Sequence, residues 1–203
     1  MIVYRVDAHN PEPDFIRAAA DAIRRGELVI YPTETVYGLG ADALNEAAVR
    51  RAFEAKGRQT GLAMPVLVGS ANDVVKVASS MPRAAQVLAG NFWPGPLTLV
   101  LPKRAVVSDL VSGGAATIGV RVPDHAVALA LLNELGTPIT GTSANMSGNA
   151  PAANASDAMQ GLEDAVEVVL DAGETPCGVP STVLDVTCDP PRVLRRGAIG
   201  IDR

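Results

Sequence analysis

Apolar residues recur along this chain in two rhythms, short runs of strand length and longer stretches at helical spacing, and their alternation predicts an α/β fold. Residues 2–6 read as a strand, and residues 28–31 as a short buried one. Between them, 11–25 reads as an amphipathic helix with proline in its first turn and Gly26 at its stop. Asn45 is expected to cap a helix running through Ala55, which places Lys56 and Arg58 at the helix exit around Gly57.

Further along, 64–68, 97–101 and 117–122 read as strands and 82–92 as a helix. Asp124 is expected to cap a helix ending at Gly136, and 138–140 to form a brief strand feeding a polar loop over 141–148. Ser156 is a candidate cap for another short helix, and 166–170 is apolar enough for a strand. Residues 181–187 and 192–196 flank Cys188-Asp189-Pro190-Pro191 and read as a closing hairpin. No internal repeat or linker interrupts the pattern, so a single domain over 1–203 is expected. The polar, alanine-rich stretch 149–158 reads as a mobile loop and, beside Ser143, as a candidate lid.

Composition narrows this picture. Hydrophobic residues make up 48% of the chain but aromatics only 3%, so the core must rest on Val, Leu, Ile and Ala, which suits a parallel or mixed sheet covered by helices. Scarce aromatics also disfavour a platform for stacking single-stranded bases. A formal charge of -5 excludes a surface that grips nucleic acid all over, while leaving room for a local basic cleft. Arg50, Arg51, Lys56 and Arg58 form one cluster of cations and Arg192, Arg195 and Arg196 another. With no apolar signal core and no run long enough to span a bilayer, a cytoplasmic protein without membrane contact is expected. Cys177 and Cys188 form no Cys-x-x-Cys pair and support neither a disulfide framework nor a thiolate zinc site, and no metal site is expected from the protein's own ligands.

The chemistry concentrates after the second strand. Tyr31-Pro32-Thr33-Glu34-Thr35-Val36-Tyr37-Gly38-Leu39-Gly40 puts hydroxyls, a carboxylate and glycines where open α/β sheets place ligands. The phosphate loop of P-loop enzymes is absent. Gly38-Leu39-Gly40-Ala41-Asp42-Ala43 fits the dinucleotide fingerprint only formally, since polar residues separate it from the strand and no acidic residue follows at the required distance. Gly141-Thr142-Ser143-Ala144-Asn145 resembles a nucleophile elbow with asparagine in place of the closing glycine, and only His9 and His125 could serve as base. That assigns Ser143 to binding rather than attack. Lys56 and Arg58 supply the positive charge that phosphoryl or nucleotidyl transfer needs, although helix-end cations also interact with the helix dipole. Arg121, on an otherwise apolar strand, requires either a ligand carboxylate or a structural acid. Thr35, Ser143, Ser181 and Thr182 are individually ordinary loop hydroxyls, but each lies at a predicted strand end.

These residues make the chain resemble the threonylcarbamoyl-AMP synthase family, the YrdC-like or TsaC proteins. The resemblance runs through the segment from Tyr31 to Leu39, Lys56-Gly57-Arg58, Trp93-Pro94-Gly95-Pro96-Leu97-Thr98, Gly119-Val120-Arg121-Val122-Pro123, Thr142-Ser143-Ala144-Asn145-Met146-Ser147-Gly148, and Ser181-Thr182-Val183 with Arg195-Arg196-Gly197. It implies a twisted mixed sheet flanked by helices around a concave basic active site. It also implies synthesis of threonylcarbamoyl-adenylate and pyrophosphate from L-threonine, bicarbonate or carbon dioxide, and ATP with Mg2+, feeding the machinery that threonylcarbamoylates tRNA. Thr35, Arg121 and Ser181 would meet threonine; Lys56, Arg58, Thr117, Ser143, Asn145 and Arg195 would meet ATP, with Lys56 and Arg58 as the catalytic cations. A non-enzymatic RNA-binding module using the same concavity is the rival reading.

The sequence departs from the family pattern at Gln59-Thr60-Gly61-Leu62-Ala63-Met64-Pro65, where the family has proline after Lys-x-Arg and a histidine after the next strand. Gly69 stands near that histidine's place, so a substrate contact is missing or replaced. Longer members append a carboxy-terminal domain, whereas this sequence ends at Arg203.

Overall fold

The computed structural model describes residues 1–200. The mixed α/β architecture is present, and its strands divide between two mixed sheets. In the first sheet the order is β1 (Ile2–Arg5), β9 (Val166–Asp171), β2 (Leu28–Tyr31), β3 (Gly38–Gly40) and β8 (Thr142–Ser143). The second runs β11 (Arg192–Arg195), β10 (Thr182–Asp185), β5 (Leu97–Pro102), β6 (Thr117–Arg121), β4 (Val66–Leu67) and β7 (Ile139–Thr140).

Side chains alternate across a strand, so each face of the first sheet needs its own cover. Val29, Tyr31, Val168 and Leu170 pack against helices α1 (Pro13–Arg24) and α5 (Ala126–Leu135). Ile30, Leu39 and Val169 pack against α2 (Glu46–Ala55) and α6 (Ala155–Met159). Covered on both faces, β2 is apolar and buried at every position. In α1 the buried Ile16, Ala19, Ala20 and Ile23 recur at one-face helical spacing, and Pro13 falls in the first turn, where a missing N–H costs nothing. Asn45 caps α2 as expected, its side chain accepting from the Ala47 and Ala48 amides.

The glycines of β3 serve packing. A Cβ at Gly38 would come within 2.6 Å of the Tyr31 ring, and one at Gly40 within 3.0 Å. Their absence lets the fully buried Tyr31 lie across β3 and donate its hydroxyl to the Thr140 carbonyl at 2.8 Å. Residues 38–40, read from sequence only as part of a ligand-holding segment, are therefore a strand paired antiparallel with β2 and β8.

In the second sheet Leu97, Leu99, Leu101, Ile118 and Val120 point into a core shared with Phe53, Met64 and Val66. Thr98, Val100, Gly119 and Arg121 therefore occupy the opposite face. Two cap expectations are corrected. Helix α5 begins at Ala126, so His125 rather than Asp124 stands next to the free amides, and its Nδ1 accepts from Val127 at 3.3 Å. Helix α6 begins at Ala155, which makes Asn154 the cap and leaves Ser156 inside the first turn; Asn154 accepts from Asp157 at 2.8 Å. The segment read as a lid is bonded to its surroundings by the Tyr37 amide donating to the Ala152 carbonyl at 2.9 Å and the Thr175 amide to the Ala153 carbonyl at 2.7 Å. Among the described residues no helix is long and apolar enough to cross a membrane.

Candidate active site

On the polar face of the second sheet lies a cavity of about 290 Å³. Strand ends and loops from both sheets bring Thr35, Arg58, Arg121, Ser143, Ser181 and Arg195 to its wall, together with Thr98, Gly119 and Pro151. Strand alternation explains the selection: Thr98 and Val100 on β5, Gly119 and Arg121 on β6, and Ser181 and Val183 at β10 all share one face.

Arg121 is only 6% exposed and tightly restrained. Its Nε donates to the Gly95 carbonyl at 3.1 Å and its Nη2 to Thr35 Oγ1 at 3.0 Å. Nη2 also lies 2.6 Å from a Glu34 carboxylate oxygen, so a structural acid compensates part of this buried charge. Thr35 Oγ1 is 2.8 Å from Thr33 Oγ1, and Thr33 donates onward to the Val36 carbonyl at 2.6 Å. Across the cavity, Arg195 donates from Nη2 to Ser181 Oγ at 3.0 Å and to the Ser181 carbonyl at 2.8 Å. Ser181 Oγ in turn lies 2.8 Å from Thr98 Oγ1. Burial, and then the nearby Arg121 charge, pushes the Arg195 guanidinium below its ordinary pKa.

Arg58 donates to the Ala63 carbonyl at 3.0 Å and its guanidinium carbon sits 5.9 Å from the centre of the Phe53 ring. Its Nε is buried without a partner. Lys56 goes elsewhere. Only 2% exposed, it threads beneath the 143–149 loop and donates from Nζ to the carbonyls of Ser143 and Asn145, while its own carbonyl accepts from the Ser147 amide at 2.8 Å. Burial, with the Arg58 charge second, pulls its amine down to about 8.

Below that value the folded and unfolded chains both hold the lysine proton, and folding carries the full cost of burying the charge. Between pH 8 and its ordinary lysine value, the unfolded chain binds the extra proton, so stability rises with pH. The unfolding free energy of the natural chain relative to a Lys56→Met variant should therefore increase from pH 8 upward in denaturant titrations. A difference that stays level or falls over that range would contradict the burial described.

A family model named Sua5/YciO/YrdC and described as telomere recombination matches residues 21–197. This chain belongs to the Sua5/YciO/YrdC family. It is 46% identical over 92% of its length to the threonylcarbamoyl-AMP synthase of Pyrococcus abyssi, covering 55% of that protein, and 41% identical over 93% to that of Bacillus subtilis, covering 54%. The chain thus spans about half the length of these relatives. The crystal structure of P. abyssi Sua5 complexed with L-threonine superposes with a TM-score of 0.94 at 45% identity, over 97% of this chain and 58% of that one.

Within this Sua5/YciO/YrdC chain, three of the expected site residues fall outside the main cavity wall. Lys56 lies under the loop, and Thr117 sits two positions before Gly119 at the start of β6, paired with Pro102. Asn145 lines a second cavity of about 260 Å³ with Met146, Asn149, Asp157 and Gln160, and Pro151 borders both cavities. Asn145 donates to the Met146 and Asn149 carbonyls at 2.8 and 2.9 Å, while its Oδ1 is buried without a partner. Three of the other clustered cations have plain roles: Arg50 pairs with Glu46, Arg51 with Glu27 and Arg192 with Asp185.

Glu34, Thr98 and Gly95 belong to the site without having been singled out by sequence. All three lie inside the segments that carry the family resemblance, which is the one signal that could have found them. Gly69 does not line the cavity, and a Cβ built there would meet the Asn133 side chain at 2.8 Å, so position 69 faces α5.

Proposed function

We propose that this chain makes threonylcarbamoyl-adenylate and pyrophosphate from L-threonine, bicarbonate or carbon dioxide, and ATP, as a nucleotidyltransferase. The observation that carries this reading is the convergence of Thr35, Arg58, Arg121, Ser143, Ser181 and Arg195 on one cavity from distant parts of the sequence. Its similarity to threonylcarbamoyl-AMP synthases and to the threonine complex of P. abyssi Sua5 supports the choice of substrates.

In this reading Arg121 receives the threonine carboxylate, with the hydroxyls of Thr35 and Ser181 beside it. The threonine amine, in its neutral form, adds to the carbon of carbon dioxide and releases a proton to solvent, giving a carbamate. A carbamate oxygen then attacks the α-phosphorus of ATP, the P–O bond to pyrophosphate breaks in line, and no covalent enzyme intermediate forms. Arg58 and Arg195 are the guanidinium forks that stabilise charge building on the phosphate oxygens. Ser143, Thr117 and Asn145 contribute polar contacts to the nucleotide, and Lys56 serves ATP by holding the carbonyls of Ser143 and Asn145 in place. Catalysis is then positioning and electrostatics.

Magnesium fits this scheme as part of the substrate. Among the described residues no group of three or more His, Cys, Asp or Glu stands together to hold a metal ion, and Mg2+ commonly keeps waters and phosphate oxygens as its ligands. It would enter with the triphosphate and neutralise its charge. The product would pass to the enzymes that threonylcarbamoylate tRNA in the cytoplasm.

Mass spectrometry of reactions with threonine, bicarbonate and ATP each omitted in turn tests the reading. Threonylcarbamoyl-adenylate should appear only in the complete mixture, together with pyrophosphate. Its absence from the complete mixture, or pyrophosphate release indifferent to threonine, would overturn the assignment.

A further inference from the structure

Glu34 occupies the segment between β2 and β3, immediately before Thr35. Its side chain is 12% exposed, and one oxygen lies 2.6 Å from Arg121 Nη2. Neither carboxylate oxygen has a hydrogen-bond partner, although both are buried. A carboxylate withdrawn from water without hydrogen bonds is unfavourable unless a specific charge compensates it. Among the described residues the ion pair that Glu34 makes is with a cavity-lining guanidinium.

The backbone around Glu34 is fixed. Its carbonyl accepts from the Cys177 amide at 3.0 Å, and the next carbonyl, that of Thr35, accepts from the Thr175 hydroxyl at 3.0 Å. The main chain that carries the carboxylate is thereby anchored to the 175–177 segment. On the other side, the contacts of Arg121 with Gly95, Thr35 and Glu34 engage Nε and Nη2, and none of them engages Nη1. Those restraints fix one edge of a planar fork and leave the remaining corner for a ligand.

We propose that Glu34 is a positioning residue for amino-acid binding. It acts through Arg121, locking the Nη2 corner so that Nη1 is presented to the substrate carboxylate, and it sets the affinity for threonine without touching threonine. This rests on the reading of Arg121 as the carboxylate anchor. Charge and geometry make opposite predictions here. If only charge counted, neutralising Glu34 would leave Arg121 more positive and tighten threonine binding; if orientation counts, threonine binding weakens.

The test compares steady-state pyrophosphate release by the natural chain, Glu34→Gln and Glu34→Asp, each checked for a cooperative thermal transition. Glu34→Gln is expected to raise the threonine KM by about tenfold or more while leaving the ATP KM and kcat within about twofold. Glu34→Asp keeps the charge and should recover part of that loss. In an Arg121→Ala background the Glu34→Gln change should add nothing further to the threonine KM, because the residue through which it acts is gone.

A folded Glu34→Gln with an unchanged or lowered threonine KM overturns the proposal, as does an effect undiminished in the Arg121→Ala background. If Glu34→Gln fails to fold, Glu34→Asp decides by the same split, and an unchanged threonine KM ends the proposal. A natural chain that makes no product from threonine would instead end the functional reading itself, so the two failures are distinguishable.

Discussion

Replacing Arg121 with alanine is expected to raise the threonine KM by roughly a hundredfold and to destabilise the fold by about 3–5 kcal/mol at once. The two effects share one cause. Arg121 is the counter-ion of Glu34, whose buried oxygens have no hydrogen bonds to fall back on, so its removal leaves a buried charge uncompensated. It is also the guanidinium in the cavity wall nearest to the Thr35 hydroxyl, at 3.0 Å, and so the group best placed for a carboxylate ligand. Urea titration would read the first effect and steady-state pyrophosphate release the second. A double replacement, Arg121→Met with Glu34→Met, separates them, because exchanging a whole buried ion pair for apolar groups is often neutral or stabilising. The double variant should regain stability and remain unable to use threonine at ordinary concentrations. Full threonine affinity in either variant would remove Arg121 from the role of anchor.

The elements that sequence made legible are those whose burial pattern is set locally. In α1 the spacing of Ile16, Ala19, Ala20 and Ile23 already describes the buried face, and Asn45 and Gly26 mark helix ends by their own chemistry. Strand β3 was hidden because Gly-Leu-Gly carries no alternation. Its reason for being glycine-rich is the ring of Tyr31, a neighbour brought there by strand pairing. The same distinction runs through the site. Hydroxyls and guanidiniums at strand ends could be read as ligand groups, since open α/β sheets gather such ends at one place. Whether a given side chain reaches the cavity or turns beneath it depends on the fold around it. Lys56 and Arg58 are two positions apart at one helix exit, yet Lys56 finds two loop carbonyls below the surface while Arg58 stacks near Phe53 and reaches the cavity. Glu34 looked like one more polar loop residue, because its meaning lies in a partner that is remote in sequence.

Arg58 carries the second large expectation. Its guanidinium is held at one point, by Nη2 to the Ala63 carbonyl, and by the Phe53 ring, which leaves the rest of the fork unengaged at the cavity wall. Burial lowers its pKa from the ordinary arginine value, yet a guanidinium remains charged at neutral pH, so it offers a partly desolvated cation to any phosphate that enters. Removing a donor aimed at developing charge typically costs about 3 kcal/mol, or roughly a hundredfold in rate. Arg58→Ala should therefore lower the rate of threonine-dependent pyrophosphate release by about that factor, with the threonine KM little changed, since Arg121 and its partners are untouched. Arg58→Lys should recover only part of the rate, because a point charge cannot reproduce two parallel donors on one phosphate. Stability should change little beyond the Ala63 hydrogen bond and the Phe53 contact, which a thermal melt can verify before kinetics are compared. If folded Arg58→Ala released pyrophosphate at the natural rate, charge stabilisation would have to come from Arg195 and the metal-bound triphosphate alone, and Arg58 would be a strut for the 58–63 turn.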